Sequence, residues 1–307
     1  MGSNAVNKFL DFYKKKKVDW EPQIKELKYS LYLVRHSLLT IVGIVIVVFS
    51  VFLAAFAPLL APYGPEEFYF SNRLLPPSSE HWFGTDMYGG DLYSRVLYGL
   101  QIDLQIAVIT VAIATAIGIT VGLVSAYYGG YVDEVLMRIT DIFLSFPGLI
   151  LAMAIAMAIS VRTGGGSLML VMIAISLVWW PSYARLIRGE VLKEKQKLYV
   201  EAARALGFSK KRIMFIHMLP NVIAPLLVAV TLDLGSVLLT AAGLSFIGLG
   251  APPGSAELGR MISEGRQYLT TAYWNVLFPG LAIFFVVLGF NLLGDGLRDV
   301  LDPRLRR

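Results

Sequence analysis

Residues 185–221 read RLIRGEVLKEKQKLYVEAARALGFSKKRIMFIHMLPN. This polar, basic stretch lies between two much more apolar ones, 163–184 and 213–256, the second of which overlaps its end. Asp233 is the only Asp, Glu, Lys or Arg in these two apolar stretches. A membrane-spanning helix needs about 20 mostly apolar residues. The pattern therefore indicates a long loop between two spans of an integral membrane protein.

The composition of the whole chain agrees with this interpretation. Of its 307 residues, 56% are hydrophobic and 16% are charged, and the mean hydropathy is +0.64. Soluble domains average about 45–50% apolar and about 25% charged residues, so a soluble globule and a disordered chain are both excluded. The absence of cysteine excludes disulfides and thiolate chemistry, and three histidines make a structural zinc site improbable.

Long stretches without Asp, Glu, Lys or Arg predict an all-α protein with six transmembrane helices. The longest stretch, 213–256, has room for one or two helices. Pro220 and Asn221 mark a start there, and the glycines and prolines at 248–254 mark an exit, which favours one helix. The six helices are expected near 38–60, 103–126, 142–160, 167–188, 221–246 and 275–297.

The distribution of Lys and Arg predicts that both termini are cytoplasmic. With a cytoplasmic amino terminus, the inside segments carry 22 of these residues and the outside segments carry 5. A seventh helix would place the basic carboxyl end outside. The expected organisation is a basic cytoplasmic arm (1–37), a first helix with an outside loop (38–102), a core (103–298) that contains the loop 185–220, and a cytoplasmic tail (299–307).

The loop itself has helical periodicity. Leu192, Tyr199, Ala203 and Leu206 recur at three- and four-residue steps and predict one apolar stripe. Gly207 is a natural residue to end that helix, and Ser209 can cap a second helix that runs through Met214. From this pattern alone, the loop could dock against another protein or rest on lipid.

The loop resembles the EAA loop of ABC importer permeases, on the residues Glu201-Ala202-Ala203, Gly207 and Leu219-Pro220. Other motifs are similar to the peptide branch of that family, and to its second, C-type permease in particular: Gly84-Thr85-Asp86, Asp91, Ser94-Arg95, Ala126-Tyr127-Tyr128-Gly129-Gly130 with Asp133, Leu244-Ser245-Phe246-Ile247-Gly248-Leu249-Gly250 and Asn291-Leu292-Leu293-Gly294-Asp295. The chain departs from the family pattern at Gly90, where Arg is usual, and at 255–259, where a Trp-Gly pair is missing.

The resemblance implies a type I ABC importer permease in the cell membrane of a prokaryote. It implies a second homologous permease, two ATPase subunits that bind the ATP, and an outside solute-binding protein that reaches the 61–102 and 251–274 loops. It implies that Glu201, Ala202, Ala203 and Gly207 form the helix that docks on an ATPase. Peptides are the implied solute, with oligosaccharides or nickel as alternatives.

The chain has no phosphate-binding loop, no catalytic triad and no metal-ligand spacing. It is therefore expected to be no enzyme, to hold no cofactor of its own, and to have no nucleic-acid partner. The chief rival function, a self-sufficient secondary transporter or channel, would need an inverted repeat with ion sites, and no convincing repeat is present. A membrane enzyme would need clustered catalytic groups, which are also missing.

Three further features concern the interior of the membrane. Asp233 is expected halfway along the fifth span, either facing the solute path or packed as a protonated or hydrogen-bonded carboxyl group. Asp103 is expected at the start of the second span, where it would favour the helix amino end. Gly118 and Gly122 form a G-x-x-x-G pair, which predicts a close contact with another helix of this chain or of a partner.

Overall fold

The computed structural model describes residues 32, 34–163 and 166–301, and their regular structure is helical apart from one isolated bridge between Thr85 and Asp91. The predicted arm 1–37 and tail 299–307 lie largely outside these residues. The principal helices are α1 (Leu38–Ala55), α2 (Leu92–Tyr128), α3 (Gly130–Leu144), α4 (Gly148–Thr163), α5 (Leu168–Glu194), α6 (Leu198–Ala205), α7 (Ala224–Ile247), α8 (Leu258–Gly265) and α9 (Trp274–Leu301).

Five of these helices, namely α1, α2, α5, α7 and α9, are long and apolar enough to cross a membrane. The sixth span is a bent pair, because α3 and the apolar α4 meet at an angle of 91°. The predicted third span, 142–160, therefore begins inside α3 and includes the bend. Pro147 disfavours a helical conformation in the residue before it, so α3 ends at Leu144 and α4 begins at Gly148.

Helix α2 starts eleven residues before the predicted boundary of 103, since it begins at Leu92. Asp91 caps it by accepting a hydrogen bond from the Ser94 amide at 2.8 Å. The prediction for Asp103 is consequently wrong: this residue lies inside α2 and is only 3% exposed, far from the helix amino end. The charge-free stretch of the sequence does not extend back past Asp103 and Arg95, so it predicts the start of the helix too late. The structure buries both of these charged residues.

The helices pack around two apolar clusters, and α2 runs along α5 through both. A β-carbon added to Gly118 would lie 2.5 Å from the Tyr183 β-carbon, and one added to Gly122 would lie 2.5 Å from the Ala184 carbonyl oxygen. Only glycine permits this approach. The predicted close-packing face is therefore confirmed, and the partner helix is α5 of the same chain.

The two ends of the bundle differ. The end that carries residues 195–223 is called the loop face, and the end that carries residues 61–91 and 248–273 is called the opposite face. On the loop face, α5 continues directly into α6, and a π-helical turn, Ile213–Met218, leads through Leu219–Val222 into α7. On the opposite face, α8 packs against α7 and α9.

The Arg95 side chain organises the opposite face and is 1% exposed. Its guanidinium donates to the carbonyl oxygens of Pro65 at 2.8 Å and of Gly254 and Ser255 at 3.1 Å each. It also pairs with the Asp86 carboxylate at 2.9 Å. One side chain of α2 thus joins the two outer connecting segments.

Candidate functional site

Helix α6 carries three of the four residues that the sequence singled out on the loop, Glu201, Ala202 and Ala203, and Gly207 follows its end. It begins after an extended Lys197, and its carboxyl end forms a left-handed turn at Gly207, whose φ is +76°. The Phe208 amide donates to the Ala203 carbonyl at 3.2 Å, and the Gly207 amide donates to the Arg204 carbonyl at 2.9 Å. These bonds satisfy carbonyl groups at the helix end. The predicted role of Gly207 in ending the helix is confirmed.

The predicted cap at Ser209 is also confirmed, because its hydroxyl oxygen accepts from the Arg212 amide at 3.4 Å. The helix that follows is shorter than predicted: Lys210–Arg212 is α-helical and a π-helical turn follows it. Turns of this kind frequently occur at functional sites. The predicted stripe is also divided, since Leu192 belongs to α5 and Tyr199 belongs to α6.

The two faces of α6 differ in exposure. Val200 and Ala203 are buried at 0% and 6% exposure, whereas Glu201 and Ala202 are exposed. Ala203 packs in the cluster beneath the helix with the start of the π-helical turn. The outward face therefore presents a carboxylate beside small side chains, and Ala203 contributes to the attachment of the helix to the bundle.

Polar contacts fix α6 to the end of α5. The Tyr199 hydroxyl donates to the Glu194 carboxylate at 2.7 Å, and Lys197 pairs with the same carboxylate at 2.7 Å. Burial, together with the Glu194 carboxylate, raises the pKa of Tyr199 to about 12. The hydroxyl therefore remains a hydrogen-bond donor at neutral pH, and α6 is held on both its buried and its polar sides.

A second set of contacts holds the loop to α2 and α3. Arg188 of α5 donates twice to Asp133 of α3, from Nε at 2.7 Å and from Nη2 at 2.6 Å. The Ser125 hydroxyl also donates to Asp133, so this carboxylate accepts three hydrogen bonds. The base of the loop is thus connected to three helices.

Asp233 lies on α7 at the edge of a crevice of about 640 Å³ between α5, α7 and α9. The crevice also exposes Glu190 and Arg298, so its wall carries both signs of charge. The Tyr183 hydroxyl and the Trp179 indole face the Asp233 carboxylate from α5. Asp233 therefore borders open space and has polar neighbours as well, but these are aromatic rather than Ser, Thr or Asn.

The structure does not bring the loop residues and Asp233 into one site. It separates a docking helix on the loop face from a crevice between the spans, and α5 connects the two. Sequence reasoning missed the pairing of Arg188 with Asp133, and it missed Glu257, which is fully buried and faces Asp103. No pattern in a single sequence could indicate these contacts, because each joins separate helices or segments.

Comparisons with known proteins agree with this architecture. Residues 118–307 match the family model described as binding-protein-dependent transport system inner membrane component. Residues 33–77 match the N-terminal TM domain of oligopeptide transport permease C. The two matches together include α6, Asp233 and most of the described residues.

Several relatives are similar over most of their length. A dipeptide transport system permease protein of Alkalihalophilus pseudofirmus is 43% identical, with 94% of this chain and 90% of the relative covered. A probable D,D-dipeptide transport system permease protein of Escherichia coli is 45% identical, with 89% and 90% covered. A glutathione transport system permease protein of Pectobacterium atrosepticum is 42% identical, with 83% of each chain covered.

Among solved structures, an inward-facing MetNI methionine ABC transporter has a chain that superimposes with a TM-score of 0.54. The match covers 68% of this chain and 97% of that chain, at 22% sequence identity. At this identity the likeness concerns the fold alone.

Proposed function

Because the chain belongs to the family of binding-protein-dependent inner-membrane transport components, we propose that it forms a peptide path together with a second, homologous permease. The chain is a multi-pass permease subunit of an ABC importer in the cell membrane. It is a transport subunit rather than an enzyme. ATP is bound and hydrolysed by two partner subunits in this proposal, and an outside solute-binding protein delivers the solute to the opposite face.

The exposed face of α6 is the observation that carries the proposal. Glu201 and Ala202 project from a helix whose other face is anchored in the bundle. Small residues allow a partner surface to approach closely, and a carboxylate beside them supplies one polar contact. An ATPase that docks here would push on α5, because α6 follows α5 after only three residues.

Asp233 is proposed to border the solute path. It lies on the side of α7 that opens to the crevice, and two of the crevice walls, α5 and α7, belong to the helices on either side of the loop that contains α6. Peptides are the proposed solutes, since the similar permeases are named for dipeptides and for glutathione, which is itself a peptide. Oligosaccharide and nickel receive no support from these names.

The experiment is co-purification from the native membrane, followed by uptake of a labelled dipeptide into liposomes. We expect a second permease and ATPase subunits to accompany the chain, and we expect uptake to require ATP. Ala202→Trp should release the ATPases because the bulky ring prevents close approach, while Lys211→Trp, at another exposed position of the same loop, should retain them. Uptake by the chain alone without ATP would overturn the proposal and favour an ion-coupled carrier.

A further inference from the structure

A second pocket lies on the loop face beside α6. It has a volume of about 430 Å³ and is enclosed by the carboxyl end of α2, the residue after α5, the end of α6 and the turn that follows. Its lining residues are Tyr127, Tyr128, Lys195, Arg204, Phe208, Lys210 and Ile213. Three of these residues are cations and three are aromatic, and none is acidic.

The three cations are held in place by groups other than carboxylates. The Lys195 ammonium donates to the Ala126 and Tyr127 carbonyl oxygens at 3.1 and 2.8 Å. The Arg204 guanidinium lies 5.5 Å from the centre of the Tyr127 ring, and the Lys210 ammonium lies 4.9 Å from the centre of the Tyr128 ring. These contacts orient three positive charges around one cavity.

Asp133 and Glu194 are bonded to residues outside the pocket, although the Asp133 charge also interacts with Lys195. Asp133 is paired with Arg188 through two hydrogen bonds. Glu194 accepts from Tyr199 and pairs with Lys197. Among the described residues, neither Arg204 nor Lys210 forms an ion pair with a carboxylate. Three like charges around one cavity repel each other, so the pocket is complementary to an anion.

The position of the pocket identifies the kind of anion. Tyr127 and Tyr128 are the last two residues of a membrane-spanning helix, and Lys195 follows the end of another. Tyrosines are enriched at the level of the lipid headgroups, and the span predicted from the sequence, 103–126, ends just before Tyr127. Basic pockets between transmembrane helices at this level bind anionic lipid headgroups. Tyr128, which is 48% exposed, offers an apolar surface to the lipid next to the charges.

We propose that this pocket binds the headgroup of an anionic phospholipid from the leaflet on the loop face. The phosphate accepts hydrogen bonds from Arg204 and Lys210, with Lys195 as the third charge. Arg204 is also the basic residue in the last turn of α6. A bound lipid would therefore steady the docking helix at its carboxyl end, and the lipid composition of the membrane would affect the position of that helix.

The test uses the chain purified with its accompanying subunits and stripped of lipid in a neutral detergent. Phosphatidylglycerol or phosphatidylcholine is titrated in, and bound lipid is counted by native mass spectrometry while thermal unfolding is followed. We expect phosphatidylglycerol to bind and to raise the unfolding temperature, and phosphatidylcholine to do neither. A cation near an anionic lipid contributes enough that its removal weakens binding about fivefold.

The variants separate the pocket from general surface charge. Lys210→Gln and Arg204→Gln should each weaken phosphatidylglycerol binding about fivefold, and the double variant about twenty-five-fold. Lys211→Gln, an exposed neighbour that does not line the pocket, should bind as the wild type does. Lys210→Arg should also retain binding, because it keeps the charge.

Four results would overturn the proposal. The first is equal weakening by Lys211→Gln and Lys210→Gln, and the second is equal binding of phosphatidylcholine. The third is stabilisation by inorganic phosphate as strong as that by phosphatidylglycerol, which would indicate a soluble anion. The fourth is loss of the ATPase subunits from the Arg204→Gln and Lys210→Gln variants with lipid binding intact, which would identify an acidic protein surface as the occupant.

Discussion

Arg188 and Asp133 form an ion pair with two hydrogen bonds, which joins α5 to α3 beneath the loop. The pair is partly shielded, with 33% of the Arg188 side chain and 17% of the Asp133 side chain exposed. Charge-assisted hydrogen bonds contribute more than neutral ones when they are shielded from water. This contact therefore holds the bent α3–α4 span against the helix that continues into α6.

Removing one partner of this pair should lower the stability of the folded protein. We expect Asp133→Asn to lower the free energy of unfolding by about 2 kcal/mol, because Arg188 keeps its charge but loses the negative charge of its partner and one of its two acceptor oxygens. The exposed pair Asp141–Arg185 offers a control, since both side chains are more than half exposed. Asp141→Asn should cost under about 1 kcal/mol. Unfolding in detergent measures the loss of stability in both variants. Equal losses would contradict the larger contribution assigned to the Arg188–Asp133 pair.

Substitutions at Gly207 should have graded effects, because this residue forms a left-handed turn. Nothing lies within 4 Å of a β-carbon built there, so only the backbone conformation limits the side chain. Asn tolerates positive φ and should retain the turn, while the β-branched Val should not. We expect Gly207→Val to lose ATPase co-purification and Gly207→Asn to keep most of it. Loss in both variants would mean that the side chain itself blocks docking.

Asp233 should affect transport more than assembly if it borders the path. We expect Asp233→Asn to reduce ATP-dependent dipeptide uptake at least about tenfold, which corresponds to about 1.4 kcal/mol, while the partner subunits still co-purify. Asp295→Asn, at an exposed carboxylate near the end of α9, serves as the control and should change little. A fall in thermal stability with unchanged uptake would show instead that Asp233 is a packing residue.

The Glu257 carboxyl group should make the stability of the opposite face depend on pH. Its carboxylate accepts from the Gly259 and Arg260 amides at the start of α8, and burial raises its pKa to about 7. It faces the Asp103 carboxyl group, and two buried carboxyl groups in contact cannot both ionise without a large cost. A raised pKa means that the folded state binds the proton more tightly than the unfolded state does.

The stabilisation that this proton provides is complete below the ordinary glutamate pKa of 4.5 and is lost as the pH rises through about 7. We expect amide exchange in α8 to be slower at pH 5 than at pH 8, after correction for the intrinsic rate. Glu257→Gln should flatten this dependence because it removes the titrating group. An unchanged dependence in Glu257→Gln would show that another group is responsible.

Arg95 should tolerate no replacement, not even Lys. We expect Arg95→Lys to lower the free energy of unfolding by about 3 kcal/mol, because an ammonium cannot reach Asp86 and three carbonyl groups together. Arg73→Lys changes the same residue type at an exposed position of the same face and should have little effect. Comparable unfolding temperatures for the two variants would contradict the role given to Arg95.

Much of the architecture follows from local patterns. Apolar stretches locate the spanning helices because burial in lipid selects composition, and Gly207 and Ser209 mark helix ends because their backbone and side-chain chemistry is local. The early start of α2 is different. The sequence places Arg95 in an outside segment and Asp103 at the start of a span, and long-range contacts with Pro65, Asp86 and the 254–258 segment make their burial possible.

For the loop and the crevice too, contacts between distant residues limit what one sequence can predict. The burial of Ala203 and the exposure of Glu201 and Ala202 follow helical periodicity, whereas Leu206, which the sequence assigns to the same apolar stripe, is 72% exposed. The α3–α4 bend is signalled by Pro147, although its angle is set by packing. Asp233 was recognisable as an unusual charge, whereas its neighbours Tyr183 and Trp179 come from another helix and could not be inferred from one sequence.

The glycine contact between α2 and α5 determines how force can pass through the molecule. Because the two helices approach this closely at Gly118 and Gly122, a displacement of α5 would be passed to α2 at these two positions. With 37 residues, α2 extends about 55 Å, from the Arg95 junction to the base of the loop. A movement of α6 would therefore have a direct route through α5 and α2 to the opposite face.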